Sequence, residues 1–267
     1  MTQPRIADDV SKPLLSANNR DRLIMVASPI VLLLLWELVA RLGLIDTRFF
    51  PAPSRIGETF AKLSASGELW TNLWVSLKRL FWGFLLGGVP AVLLGVAMGM
   101  FRLLRVVVDP LIAALYPIPK SALVPLFLLI FGLGEASKIA LVATGVFFPV
   151  LINSMAGVRG IGKIYLDVGH NFRASRWQLF WTIALPGAMP MILAGVRLGV
   201  GIGLVLIAIA EMIGAKSGLG YMIWNAWEIL FVEKMYVGLI VIAMLGFCST
   251  LLLKELERFA IPWQGHR

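Results

Sequence analysis

Apolar runs about twenty residues long recur from one end of this chain to the other, and a run of that length is what a bilayer core demands of a spanning helix. Six of them fit: Leu23 to Leu44, Leu80 to Met100, Val106 to Leu133, Ile139 to Ala156, Leu185 to Ile213 and Val237 to Leu253. Hydrophobic residues make up 59% of the 267 and charged residues 15%, more apolar surface than a soluble domain of this size can hide. Hydrocarbon tolerates no open sheet edge, so the runs should be helices. The alternation of a lipid-facing barrel strand is absent. The expected fold class is therefore an all-α membrane protein, a polytopic bundle of about six transmembrane helices.

The formal net charge of +9 invites a nucleic-acid reading. The basic residues stand at the ends of apolar runs and not along one polar face, which is the juxtamembrane pattern. Six spans put both termini on one side. With the termini cytoplasmic, thirteen Lys and Arg lie inside and nine outside, and Lys120 and Arg197 fall within spans. That bias favours cytoplasmic tails at residues 1–22 and 254–267 around a transmembrane core at 23–253. The first 22 residues are polar and no A-x-A cleavage site follows, so the first run should remain as an anchor. One cysteine, Cys248, and two histidines, His170 and His266, exclude a disulfide framework and a histidine- or cysteine-built metal site.

Within the spans, Gly83, Gly87, Ala91, Gly95 and Gly99 recur every fourth residue, and Gly195, Gly199 and Gly203 repeat the pattern. Small residues at that spacing cut a groove that lets another helix approach closely. Pro110, Pro117, Pro119 and Pro125 punctuate the third run, so that helix should be broken and either buried or lining a cavity. Lys120 sits between the breaks; it either pairs with an anion or carboxylate within the membrane or snorkels to an interface. Glu211 follows LVLIAIA and either lines a polar pathway or caps a helix end near the outer surface. Glu37 and Arg41 should pair across one helical turn. Arg41 to Arg79, with Trp70, Trp74 and Trp82, suits a helix lying along the outer interface and running into the second span. Gly214, Gly218 and Gly220 mark a tight turn, after which Tyr221 to Ile229 could re-enter as a short helix.

Catalytic signatures are missing. GVRGIGK at 157–163 has the spacing of a phosphate-binding loop, but Ile164 stands where Ser or Thr would hold magnesium and no buried strand precedes it. There is no H-E-x-x-H, nucleophile elbow or carboxylate pair arranged for acid–base work. The chain is read as non-enzymatic, with no cofactor or metal of its own.

One polar, basic stretch interrupts the apolar sequence: DVGHNFRASRWQLFWTIALP, Asp167 to Pro186. Residues 164–172 can form a short helix, and Ser175 with Gln178 makes a capping box that starts a second. Two short helices at an angle give a compact knob with Arg173 and Arg176 near its tip and Phe172, Trp177 and Phe180 beside them. Aromatics next to arginines suit a protein–protein contact, whereas an amphipathic helix on anionic lipid is the simpler use of the same residues.

This stretch resembles the EAA loop of bacterial ATP-binding-cassette importer permeases: Glu-Ala-Ala, a Gly six residues after the Glu, then Ile-x-Leu-Pro. Asp167 takes the Glu position, Val168 and Gly169 the two Ala positions, and Ile183, Leu185 and Pro186 the closing ones. The resemblance runs from about Leu23 to Gln264. YPIPKSALVPLFLLIFGLGEASKI, FFPVLINSMAGVR, LPGAMPMILAGVRLG and AEMIGAKSGLGYMI are similar to the sulfonate, taurine, nitrate and bicarbonate branch, and the tail IPWQG to its taurine members. The resemblance implies a type I importer permease (MetI-like) architecture in the bacterial inner membrane. The loop, about 160–184, would be a cytoplasmic coupling helix, with Asp167, Gly169, Arg173, Ala174, Ser175 and Arg176 facing a cleft of an ATPase subunit and Leu185 and Pro186 closing it. It further implies a second copy of the permease, two ATPase subunits carrying ATP and magnesium, and a periplasmic binding protein that delivers a small anion. Lys120 and Glu211 are the candidates for the translocation path. The rival is an ion-coupled secondary transporter or channel acting alone, which needs buried coupling carboxylates and inverted repeats.

Two residues depart from the pattern. Val168-Gly169 in place of Ala-Ala loosens the first short helix by roughly 1 kcal/mol. Arg173 occupies the Gly position, and a left-handed backbone there would cost an Arg about 1–2 kcal/mol.

Overall fold

A computed structural model describes residues 19–261, and every described element is helical. The polar tail before residue 19 and the IPWQG tail beyond Ile261 lie outside the described residues. The order is α1 (Asn19–Arg41), α2 (Pro53–Ala65), α3 (Glu68–Met100), α4 (Arg102–Leu115), α5 (Val124–Phe131), α6 (Glu135–Arg159), α7 (Lys163–Asn171), α8 (Arg176–Leu179), α9 (Leu185–Gly214), α10 (Leu219–Glu228) and α11 (Val232–Ala260).

Among the described residues four continuous helical stretches are long and apolar enough to cross a membrane: Glu68–Met100, Glu135–Arg159, Arg176–Gly214 and Val232–Ala260. A fifth is the pair Arg102–Leu115 and Lys120–Phe131, bent by 85°. The 23-residue α1, with Leu32 to Leu35 all exposed, is the remaining candidate for the sixth expected run.

The third run breaks at Pro117 and Pro119, where a single 3-10 turn, Lys120–Leu123, replaces helix. The other two prolines do not break it. Pro125 sits in the first turn of α5, where no intrahelical N–H is lost, and Pro110 lies inside α4.

The helix of the second span begins at Glu68, not at Leu80, so the stretch expected to run into the span is continuous with it from Glu68 onward. Leu69, Asn72, Ser76 and Arg79 recur at helical spacing on a buried face, while Trp70, Trp74 and Trp82 are exposed. Polar residues on the packed side hid that face from a hydropathy reading. The short amphipathic helix before α3 is α2, which buries Ile56, Thr59 and Leu63.

The two glycine grooves do not meet each other. Both close on α6, and at Gly203 the α9 groove also meets Leu80 of α3. A methyl group at Gly83 or Gly87 of α3 would run into Val142 or the Ala143 backbone, and one at Gly95 would lie 2.8 Å from the Ser154 side chain. On α9, Gly195 approaches Pro149, Val150 and Asn153, and Gly199 approaches Val146. α6 is accordingly the most enclosed span, with Val142, Val146, Val150 and Leu151 fully buried. The sandwich α3–α6–α9 carries the knob at one end, where α9 begins, and the α9–α10 turn at the other.

Candidate functional site

The knob forms as two short helices. α7 ends in a Schellman motif: the Ala174 N–H donates to the Gly169 carbonyl at 3.0 Å, and Arg173 occupies the left-handed position with φ 52°. The strain expected of an Arg at the family's Gly position is therefore present, and the turn is kept. α8 starts with the anticipated capping box, in which the Gln178 N–H reaches Ser175 Oγ at 3.3 Å and the Ser175 N–H reaches Gln178 Oε1 at 2.8 Å.

Not all of the expected docking residues face outward. Asp167, Arg173, Ser175 and Arg176 are exposed and Ala174 is half-buried. Gly169 is turned inward: a Cβ there would collide with Leu179 and with Ile183 at 2.9 Å, so this position is the seam that locks α7 onto α8. Leu185 packs on the core cluster around Val158, Ala184 and Ala188. Pro186 lines a 460 Å³ cavity between knob and bundle, together with Ile161, Tyr165 and Ile183. Phe172 (84%) and Trp177 (68%) are the most exposed aromatics of the knob, and Phe180 stacks on Trp177 at 5.8 Å. The Arg176 guanidinium lies 5.7 Å from the Phe101 ring at the start of α4. A π-helical turn, Phe180–Ala184, joins α8 to α9, so the knob continues directly into a spanning helix.

At the opposite end lies a buried charge cluster. Glu211 is wholly buried, and its carboxylate accepts from Ser76 Oγ (2.8 Å), Arg79 Nη1 (2.8 Å) and the Gly220 N–H (2.9 Å). Arg79, 2% exposed, also donates to both oxygens of Glu135 at 2.6 Å and to the Ser217 carbonyl at 2.7 Å. Lys138 is 1% exposed and gives its ammonium to the carbonyls of Leu133, Gly134 and Gly214, capping the end of α9. Gly218 takes φ 117° against the Glu211 carboxylate, leaving no room for a side chain. Glu211 is sealed within the packed end of the bundle, where it binds α3, α9 and the α10 turn together, and Arg79 extends the cluster to α6.

Among the described residues Lys120 pairs with no carboxylate; its ammonium caps the broken helix through the carbonyls of Leu115 (2.8 Å), Tyr116 (3.2 Å) and Ile118 (2.9 Å), above the Phe148 ring at 4.3 Å. A proline break frees carbonyls in an apolar setting, and the nearest cation satisfies them. Glu37 and Arg41 pair at 2.6 Å as anticipated.

Arg79, Glu135 and Lys138 were missed by sequence reasoning because each lies at the edge of an apolar run, where a charge reads as juxtamembrane. The available signal was that unlike charges collect at the same end of three neighbouring helices. No cluster of three or more potential metal ligands occurs among the described residues.

Residues 91–261 match the family described as binding-protein-dependent transport system inner membrane component. Over 243 residues the chain is 37% identical to the taurine transport system permease protein TauC of Escherichia coli strain K12, covering 88% of this chain and 87% of that protein. The putative aliphatic sulfonates transport permease protein SsuC of Bacillus subtilis strain 168 is 36% identical over 237 residues, covering 89% and 86%. Among solved structures, a chain from the inward facing MetNI methionine ABC transporter shares the fold at TM-score 0.54 and 18% identity, covering 73% of this chain and 95% of that one.

Proposed function

The chain belongs to the family of binding-protein-dependent transport system inner membrane components, and from that premise we propose that it carries taurine or a related aliphatic sulfonate inward. It is a multi-pass permease subunit of an ATP-binding-cassette importer. In our reading two copies form the path, two ATPase subunits hydrolyse ATP beneath them, a periplasmic binding protein supplies the sulfonate, and both termini are cytoplasmic. Similarity to taurine and sulfonate permeases along nearly the whole chain supports the substrate class.

One observation carries the coupling mechanism: the knob runs without interruption into α9. Closure of the ATPase pair on ATP binding would displace the exposed Asp167–Arg176 surface. Because Gly169 locks α7 onto Leu179 and Ile183, both short helices move as one body. The π turn then passes that motion into α9, and the packed α3–α6–α9 sandwich rocks as a unit. The chain's own contribution is thus a lever and a path, with the driving free energy supplied by nucleotide binding on the partner.

The test is Arg176→Glu in proteoliposomes containing the whole complex. Charge reversal at the exposed tip should leave assembly of the permease intact while sulfonate uptake per ATP hydrolysed falls about tenfold or more, the equivalent of about 1.4 kcal/mol of lost coupling. Unchanged uptake per ATP refutes the docking role of this surface.

A further inference from the structure

A cavity of 300 Å³ opens at the end of the bundle opposite the knob, between the end of α1, the loop that follows it and the first turns of α2 and α11. Arg41, Thr47, Pro51, Arg55 and Glu233 line it. Its walls are fixed. The Glu37 carboxylate holds Arg41 Nε at 2.6 Å and the Ser54 N–H and hydroxyl at 2.9 and 2.8 Å, which binds α1 to the start of α2. The Tyr236 hydroxyl donates to the Phe49 carbonyl at 3.2 Å and ties α11 to the loop.

Within these walls charged groups are left without a bonded partner. Among the described residues the side chains of Arg55 and Glu233 make no hydrogen bond or ion pair, the carboxylate of Glu58 one turn on from Arg55 is held by Lys62 at 2.7 Å, and Arg41 is engaged through Nε alone. Two guanidinium groups and one carboxylate complement a molecule bearing a tetrahedral oxyanion and a primary ammonium. The rim is apolar and bare: Leu42, Leu44, Phe49 and Phe50 are all more than half exposed. A free zwitterion has no use for such a rim, whereas acyl chains would cover it.

We propose that this cavity binds the headgroup of phosphatidylethanolamine, with phosphate on Arg41 and Arg55, ammonium on Glu233, and acyl chains along Leu42, Leu44, Phe49 and Phe50. The site is separate from the knob and from the α3–α6–α9 sandwich, and it does not depend on which solute is carried. Phosphatidylglycerol would leave Glu233 facing an anion without a cation. Phosphatidylcholine offers no ammonium N–H to donate.

The experiment is native mass spectrometry of the full-length protein equilibrated with equimolar phosphatidylethanolamine, phosphatidylcholine and phosphatidylglycerol. Phosphatidylethanolamine should be retained about fivefold over either competitor, a difference of about 1 kcal/mol. Arg55→Gln should lower retention of both phosphatidylethanolamine and phosphatidylglycerol. Glu233→Gln should do the opposite of a folding defect, erasing the preference for phosphatidylethanolamine while phosphatidylglycerol binding rises. Both side chains are solvent-accessible, and a single monodisperse elution peak certifies the variants. Equal retention of the three lipids by the parent protein overturns the proposal, as does an unaltered preference in both variants. Taurine binding to delipidated protein that Arg55→Gln abolishes, with lipid retention unchanged, would assign the cavity to a free zwitterion and overturn it too.

Discussion

Replacing Arg79 by Met tests whether the cluster around Glu211 holds together the end of the bundle opposite the knob. Arg79 is the only cation in direct ion-pair contact with Glu211 among the described residues. Its removal leaves a wholly buried carboxylate with the Ser76 hydroxyl and the Gly220 N–H alone. Breaking a buried pair from one side costs about 3–5 kcal/mol, because the surviving charge keeps its desolvation penalty. Glu211→Gln removes the charge but keeps the shape, and Arg79 retains both Glu135 and the Ser217 carbonyl, so the loss should be only about 1–3 kcal/mol. Glu135 is 62% exposed, and its Gln variant should cost no more than about 1 kcal/mol. Thermal unfolding in detergent, followed by tryptophan fluorescence, should rank the three in that order. At about 2–4 °C per kcal/mol, Arg79→Met lowers the Tm by about 6–20 °C. The double variant Arg79→Met/Glu211→Gln removes both charges and should recover about 1–3 kcal/mol relative to Arg79→Met. Equal Tm values for Arg79→Met and Glu135→Gln, or a double variant that is simply the sum of the singles, would refute the cluster as a coupled unit.

Other outcomes follow from the same geometry. Arg173→Gly removes the strain of φ 52°, about 1–2 kcal/mol, against about 0.5–1 kcal/mol of added chain entropy; slower hydrogen exchange at the Ala174 amide would verify the gain, and faster exchange would reject it. Gly95→Leu drives a side chain into Leu151 and Ser154 of α6, an overpacking cost of about 1–3 kcal/mol that a lowered Tm should register, while the same change at Gly201, which has open space around it, should be near neutral. Lys120→Ala strips three carbonyls of their donor. It should cost about 1–3 kcal/mol of stability, and an unchanged Tm would reject the capping role.

The knob was largely legible in advance because its determinants are local. The capping box lies within Ser175–Gln178, and the Schellman turn within Gly169–Ala174, so short-range hydrogen bonding dictates both. The direction of Gly169 was not legible. Which side of a short helix faces inward depends on Leu179 and Ile183, which return to it through the turn. The long α3 was misjudged for a related reason: Asn72, Ser76 and Arg79 read as polar exposure until their partners on α9, α6 and the α10 turn are in place.

The amino-acid order alone determined the solvent, the helical class, the proline break and the two glycine faces, since each follows from the length, periodicity or backbone chemistry of one segment. Tertiary structure alone decided that both glycine faces close on α6, that Lys120 serves carbonyls and that Glu211 is sealed against Arg79. A glycine groove accepts any smooth helix, and a buried charge accepts any opposite charge in reach. Only the packing of distant segments selects which one arrives.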